Sequence, residues 1–179
     1  MIMSLSAPSL DARIARRTLR YRIVRFVLIG SCQWLALGAF ACWALTPWFD
    51  FSINLTQSLP GTLYVTHIGA PVNRGDLVAF YWHGGATYPQ GVVFIKRVMG
   101  VAGDVVTVRN GVYYVNDTRI GVAKPHTRAG VPLAPARPGV IQPDSYFVST
   151  PHPDSLDSRY ALTGNVPRSA IQGRAYEVF

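Results

Sequence analysis

The chain has 179 residues, 49% of them hydrophobic, with 17 Lys and Arg against 9 Asp and Glu for a formal charge of +8. That length suits one ordinary domain and a short accessory element. The charge does not indicate nucleic-acid binding, because Arg13, Arg16, Arg17, Arg20, Arg22 and Arg25 supply much of it before residue 26. From Phe51 onward 11 basic residues face 7 acidic ones, without the dense clusters a nucleic-acid surface needs.

Residues 1–25 read as a cytoplasmic basic segment and residues 26–49 as a transmembrane helix. Phe26 to Phe49 contains no charged side chain, and about 20 helical residues cross a hydrocarbon core. The preceding arginines set the N-terminus in the cytoplasm by the positive-inside rule. A cleaved signal peptide is the competing reading, but its apolar core usually spans about 7–15 residues and ends at small residues. This run is longer and ends in Trp43, Trp48 and Phe49, rings that favour a membrane interface. Cys32 and Cys42 both fall in the helix, about 15 Å apart along its axis, too far to bridge. Residues 50–179 contain no cysteine and must hold together by core packing. His67, His83, His126 and His152 show no metal-ligand spacing, so neither a metal nor another cofactor is expected.

After Asp50 the pattern becomes strand-like. Strands are expected at 63–66, 76–82, 92–99, 105–108, 112–115, 146–149 and 175–179. Asn110-Gly111 between two of them is a hairpin signal, since both residues tolerate positive φ. No later run has helical length and period, so residues 50–179 read as an exported, mainly β domain. The Pro-rich stretch 123–143 reads as an ordered surface excursion, and Asn116-Asp117-Thr118 as a polar turn.

Lys96 lies in the apolar run Val92–Gly100. In an extended strand it shares a face with Phe94 and Val98, while Arg97 points the other way with Val93 and Ile95. Burial disfavours an ammonium and lowers its pKa, and a neutral lysine can take a proton from a serine hydroxyl. The alternative is a snorkelling or salt-bridged lysine at a strand edge. Ser58 lies in Asn54-Leu55-Thr56-Gln57-Ser58-Leu59-Pro60-Gly61, close behind the apolar helix; taken alone, Ser before Leu-Pro-Gly is a turn signal. Gly100 and Gly103 bracket a tight turn, where Asp104 caps backbone N–H groups. In Ser155-Leu156-Asp157-Ser158-Arg159-Tyr160, Asp157 either orients Lys96 or staples a polar loop to Arg159. Leu59, Leu63 and Val65 form a lipid- or substrate-facing rim, with ordinary core packing as the alternative for Leu63 and Val65.

Together these segments resemble the type I signal peptidase family of membrane-anchored serine–lysine peptidases. The closer resemblance is to its conjugative-transfer branch, the TraF-like peptidases that mature pilin subunits. Asn54 to Pro60 resembles the nucleophile segment, Phe94 to Gly100 with Gly103-Asp104 the lysine segment, and Ser155 with Asp157 to Tyr160 the final segment. The resemblance implies a signal-peptidase-like β domain of short twisted strands behind one transmembrane helix. It implies Ser58 as nucleophile, Lys96 as general base, Thr56 as oxyanion support, Ser155 as a serine positioning the lysine, and Asp157 and Arg159 as a supporting ion pair. Leu59 stands where general secretory members carry Met, and Ser149-Thr150-Pro151-His152 where they carry Gly-Asp-Asn-Arg; the second departure fits the transfer branch.

The expected function is therefore a membrane-anchored serine endopeptidase acting on a pilin-like or other membrane-associated precursor through a Ser58 acyl-enzyme. Water or an amine can resolve that intermediate, so hydrolysis and head-to-tail cyclisation both stay open. The expected location is the bacterial inner membrane, single-pass, with the catalytic domain periplasmic, the lipid bilayer as a partner and no nucleic acid. The main rival is a noncatalytic single-pass scaffold or assembly factor of a secretion or conjugation apparatus. A soluble serine–lysine self-cleaving regulator fits neither the anchor nor the lack of a DNA-binding element before residue 50.

Overall fold

The computed structural model describes residues 10–54, 58–85 and 88–179. Two compact units divide the chain after Thr46. The first is a single helix, α1 (Leu10–Leu45), whose stretch Arg17–Leu45 is long and apolar enough to cross a membrane. At 1.5 Å per residue its 29 residues span about 43 Å, more than the hydrocarbon core requires. The helix ends four residues before the expected Phe49. Pro47 disfavours helical geometry at Thr46 and removes a backbone donor. Thr46 closes the end instead, its hydroxyl donating to the Trp43 carbonyl at 2.7 Å.

The second unit is mainly β, as the strand-like alternation predicts. One sheet has seven strands: β1 (Phe49–Ile53), β2 (Leu63–Ile68), β3 (Leu77–Tyr81), β4 (Val93–Gly100), β9 (Ser145–Ser149), β10 (Val166–Pro167) and β11 (Ile171–Glu177). Their order across the sheet is β1-β2-β11-β3-β4-β9-β10, and every pairing is antiparallel. A four-stranded sheet holds β5 (Val105–Arg109), β6 (Val112–Val115), β7 (Thr118–Val122) and β8 (Gly139–Val140) in the order β7-β6-β5-β8. The Asn110-Gly111 hairpin forms between β5 and β6, with φ of 51° and 75°. β1, β7, β8 and β10 are strands that the sequence pattern did not single out.

Each sheet carries its own core. Val78, Phe80, Phe94, Val98, Val148 and Tyr160 pack in the larger one, and Val106, Tyr113, Val115, Ile141 and Phe147 in the smaller. Gly100 sits where the two meet. A Cβ there would lie 2.5 Å from Ile141 Cδ1 and 2.9 Å from Val115 Cγ1, so close approach requires glycine. The ladder between β4 and β9 also shifts register between Val98 and Gly100. Asp104 caps the following turn, accepting from the Val101 N–H at 2.8 Å, and its other contacts are with Arg74 and Asn116.

This framework settles the orientation of β4. Phe94, Lys96 and Val98 are buried and Arg97 is exposed, as the alternation requires. Arg97 donates to the Gly75 carbonyl at 2.6 Å, while Lys96 is held on the core face at 5% exposure.

Candidate active site

β1 and β2 are neighbours in register, Phe49 opposite His67 through Ile53 opposite Leu63. The connection from Asn54 to Thr62 therefore closes on itself at one end of the sheet. Asn54 ties it shut: its backbone N–H donates to the Thr62 carbonyl at 2.8 Å. Its side-chain amide donates to both the Leu59 and Gly61 carbonyls at 2.9 Å. The Gly61 N–H donates to the hydroxyl of fully buried Tyr64 at 3.0 Å. Ser58 sits inside this closed loop. Thr56, the expected oxyanion support, lies outside the described residues.

Lys96 reaches the loop from β4. Its Nζ is 3.3 Å from Ser58 Oγ and donates to Ser155 Oγ at 2.9 Å. It also lies 5.5 Å from the centre of the Phe94 ring. No described carboxylate lies within ion-pair distance of it. Burial drives the Lys96 pKa down from 10.5 to about 8; the Asp157 charge pulls it up and the Arg159 charge pushes it down again.

The chain from Thr150 to Asn165 supports this pair. Asp157 is fully buried and Arg159 is 3% exposed. Arg159 Nε donates to one carboxylate oxygen of Asp157 at 2.8 Å and Nη2 to the other at 2.9 Å. Arg159 also donates to the Ser155 carbonyl at 3.3 Å, which ties the ion pair to the serine beneath Lys96. Ser158 secures the segment to β9, its hydroxyl accepting from the Val148 N–H at 2.9 Å. Ser58, Lys96, Ser155, Asp157 and Arg159 are thus brought together from three separate parts of the sequence. Asp157 pairs with Arg159 and staples the loop; it reaches Lys96 only through its charge.

Ser58 and Lys96 line a cleft of about 600 Å³. Ser52, Ile53, Leu59, Phe94, Leu133 and Tyr160 contribute to its walls. Leu59 is buried and faces the cleft, so it is not part of a lipid-facing rim. β4 pairs with β3 from Val93 to Arg97, but with β9 only from Arg97 on. Among the described strands, the second edge of β4 is unpaired between Val93 and Lys96, and it borders the cleft.

Two parts of the site escaped the sequence reading. Asn54 was legible only as part of a segment, because its role depends on a loop returning to meet it. The cleft wall made by Lys124, His126 and Arg128 was hidden in the Pro-rich stretch. Their alternation was the available signal, since extended backbone turns every second side chain to one face. Among the described residues no group of three or more His, Cys, Asp and Glu is arranged to hold a metal.

A mainly β domain behind one apolar, membrane-length helix, with a buried lysine against a serine in a cleft, has the architecture of a membrane peptidase. The family model described as signal peptidase, peptidase S26, matches residues 23–179, and the chain belongs to that family. It is a single-pass membrane peptidase in that general sense. The chain is also similar to a crystal structure of a signal peptidase I from Enterococcus faecalis V583. The two are 21% identical over 58% of this chain and 96% of that one, with a TM-score of 0.38. No curated protein matches the chain.

Proposed function

We propose that the protein is a serine endopeptidase in which Ser58 is the nucleophile and Lys96 the general base. The observation that carries this reading is the 3.3 Å separation of Lys96 Nζ and Ser58 Oγ at a lysine only 5% exposed. At pH 7 a lysine of pKa about 8 is neutral in about one molecule in ten, against about one in three thousand at 10.5. Burial therefore raises the supply of base by more than two orders of magnitude.

In the reaction, Ser58 Oγ bonds to the scissile carbonyl carbon as its proton passes to Lys96 Nζ. The resulting ammonium returns that proton to the leaving amine, the C–N bond breaks and an ester on Ser58 remains. Water attacks the ester next, giving a proton to Lys96, and the ester bond breaks as Lys96 passes that proton to Ser58 Oγ, which releases the acid and restores both side chains. An amine attacking in place of water closes a peptide bond. Ser155 accepts an N–H of Lys96, which leaves the nitrogen lone pair for Ser58. Thr56 and the Ser58 N–H are the family's oxyanion donors. The unpaired edge of β4 suits an extended substrate segment, which adds as a strand and presents its carbonyl to Ser58.

The substrate class is a pilin-like or other membrane-associated precursor, following the transfer-branch departure at Ser149-Thr150-Pro151-His152. Residues 1–25 then lie in the cytoplasm, 26–49 include the membrane span, and 50–179 act from the periplasmic side of a bacterial inner membrane. A scaffold or assembly factor would have no use for the desolvation cost of Lys96. The test uses the intact protein in liposomes with a membrane-embedded pilin precursor, read by mass spectrometry. Wild type yields a product that S58A and K96A do not; equal processing by all three sinks the assignment. A product lighter by one water than the linear cleaved form identifies cyclisation.

A further inference from the structure

The excursion after β7 folds back as a short hairpin that forms part of the cleft wall. Leu133 N–H donates to the Pro125 carbonyl and Thr127 N–H to that of Val131, both at 2.8 Å. His126 pairs with Pro132, and Gly130 N–H closes the tip on Thr127 at 3.0 Å. Lys124, His126 and Arg128 alternate along the outgoing arm, and all three line the cleft that holds Ser58 and Lys96. Among the described lining residues Asp154 is the only carboxylate. It accepts both from Lys124 Nζ and, at 2.8 Å, from Arg128 Nε. Two cations therefore share one carboxylate, and the wall keeps a net positive charge.

The hydrogen bonding at His152 sharpens this. The Asp154 backbone N–H donates to His152 Nδ1 at 3.1 Å, which seats the ring beside the shared carboxylate. Arg128 Nη2 lies 3.5 Å from Nε2. Lys124 and Arg128 thus stand together on one wall of the cleft with a single carboxylate between them. Such a pair complements an anionic oxygen.

We propose that Arg128 and Lys124, beside His152, form a carboxylate-recognition subsite. It selects precursor segments that present an acidic side chain or a free C-terminal carboxylate within the cleft. The proposal deepens the peptidase reading above and rests on it for the substrate being a peptide. A place on the wall of the cleft that Ser58 also lines favours a peptide over a lipid headgroup, which would meet the protein on its outer surface.

The probes are ten-residue peptides of Ala and Leu in which one Glu or one Gln is walked through each position. Each is made as the C-terminal acid and as the amide. Binding is measured by fluorescence anisotropy to the intact S58A protein in detergent micelles, so that no turnover is required. The expected result is about tenfold tighter binding of Glu over Gln at one or two positions, or of acid over amide, as one charge-assisted hydrogen-bonding site supplies. A Glu preference identifies a side chain as the ligand, and an acid preference identifies the chain end. R128Q should bring the discrimination close to one, and R128K should retain most of it. Equal binding of all pairs to S58A overturns the subsite, as does discrimination that survives in R128Q. Processing of the precursor by wild type but not S58A is scored separately, so failure of the peptidase reading is distinct from failure of the subsite.

Discussion

Asp157 gives both carboxylate oxygens to Arg159, at 2.8 and 2.9 Å, and makes no ion pair with Lys96. A carboxylate directly against Lys96 would hold it protonated and unfit as a base. Arg159 absorbs that charge while both residues stay buried, and the pair influences the lysine in opposite senses.

Opposed shifts in the pH profile follow from this arrangement. Asp157 raises the Lys96 pKa and Arg159 lowers it, with burial the larger cause of its net depression to about 8. The acidic limb of kcat/KM should fall near pH 8 in the wild type. It should move to lower pH in D157N and to higher pH in R159M. Either variant breaks a buried pair and should lose about 3–5 kcal/mol of stability, so the profiles are taken at low temperature on the folded fraction. Shifts of the same sign in both variants would exclude this electrostatic account.

Stability should carry the signature of the same lysine. Its folded pKa lies below its unfolded value, so between about pH 8 and 10.5 the unfolded chain binds more protons than the folded one. Stability from this group therefore rises with pH across that window, and its full cost is felt below pH 8. A depression from 10.5 to about 8, at 1.36 kcal/mol per pH unit, amounts to about 3 kcal/mol. K96M should be inactive yet more stable than wild type at pH 7, with the gap closing by pH 10.5. Denaturant titration of the two proteins across pH reads this, and a pH-independent gap would contradict it.

Lys96 was legible because a strand with alternation of two must turn either residue 96 or residue 97 inward, and Phe94 and Val98 favour 96. The Asn110-Gly111 hairpin was legible from turn chemistry alone. β1 was not, because it begins four residues after the helix and its outward residues are apolar: Phe51 is 66% and Ile53 67% exposed. Its polar residues, Asp50 and Ser52, lie on the less exposed face, so the alternation is inverted relative to that of a core strand. β8 and β10 have two residues each, too short for any periodicity. Asp157 with Arg159 was visible as a pair but not as a choice between orienting Lys96 and stapling a loop, since that choice depends on where the returning chain passes.

Asn54 should behave as a positioning residue for the nucleophile loop. Its amide satisfies two carbonyls, of Leu59 and Gly61, on either side of Pro60. N54A removes both donors, each worth about 0.5–1.5 kcal/mol. N54D sets a carboxylate against the same two oxygens and should be worse. Loss of about tenfold or more in kcat, with a smaller change in KM, is expected for N54A. Activity in N54D matching the wild type would show that the loop is held without this residue.

The boundary at Thr46 makes a sharper test of the anchor than a cut at the end of the expected helix. Deleting residues 1–46 leaves β1 whole, whereas deleting 1–50 removes Phe49 and Asp50, the partners of His67 and Thr66. It also removes the Asp50 carboxylate that accepts from Gln172 Nε2 at 2.8 Å. The shorter deletion should stay folded and cleave a soluble peptide slowly, and the longer one should be measurably less stable. Toward a membrane-embedded precursor both should lose far more activity than toward the peptide, because a shared bilayer supplies an effective concentration of order mM that solution does not. Equal losses on the two substrates by the 1–46 deletion would mean that the helix supports the active site itself instead of locating it at its substrate.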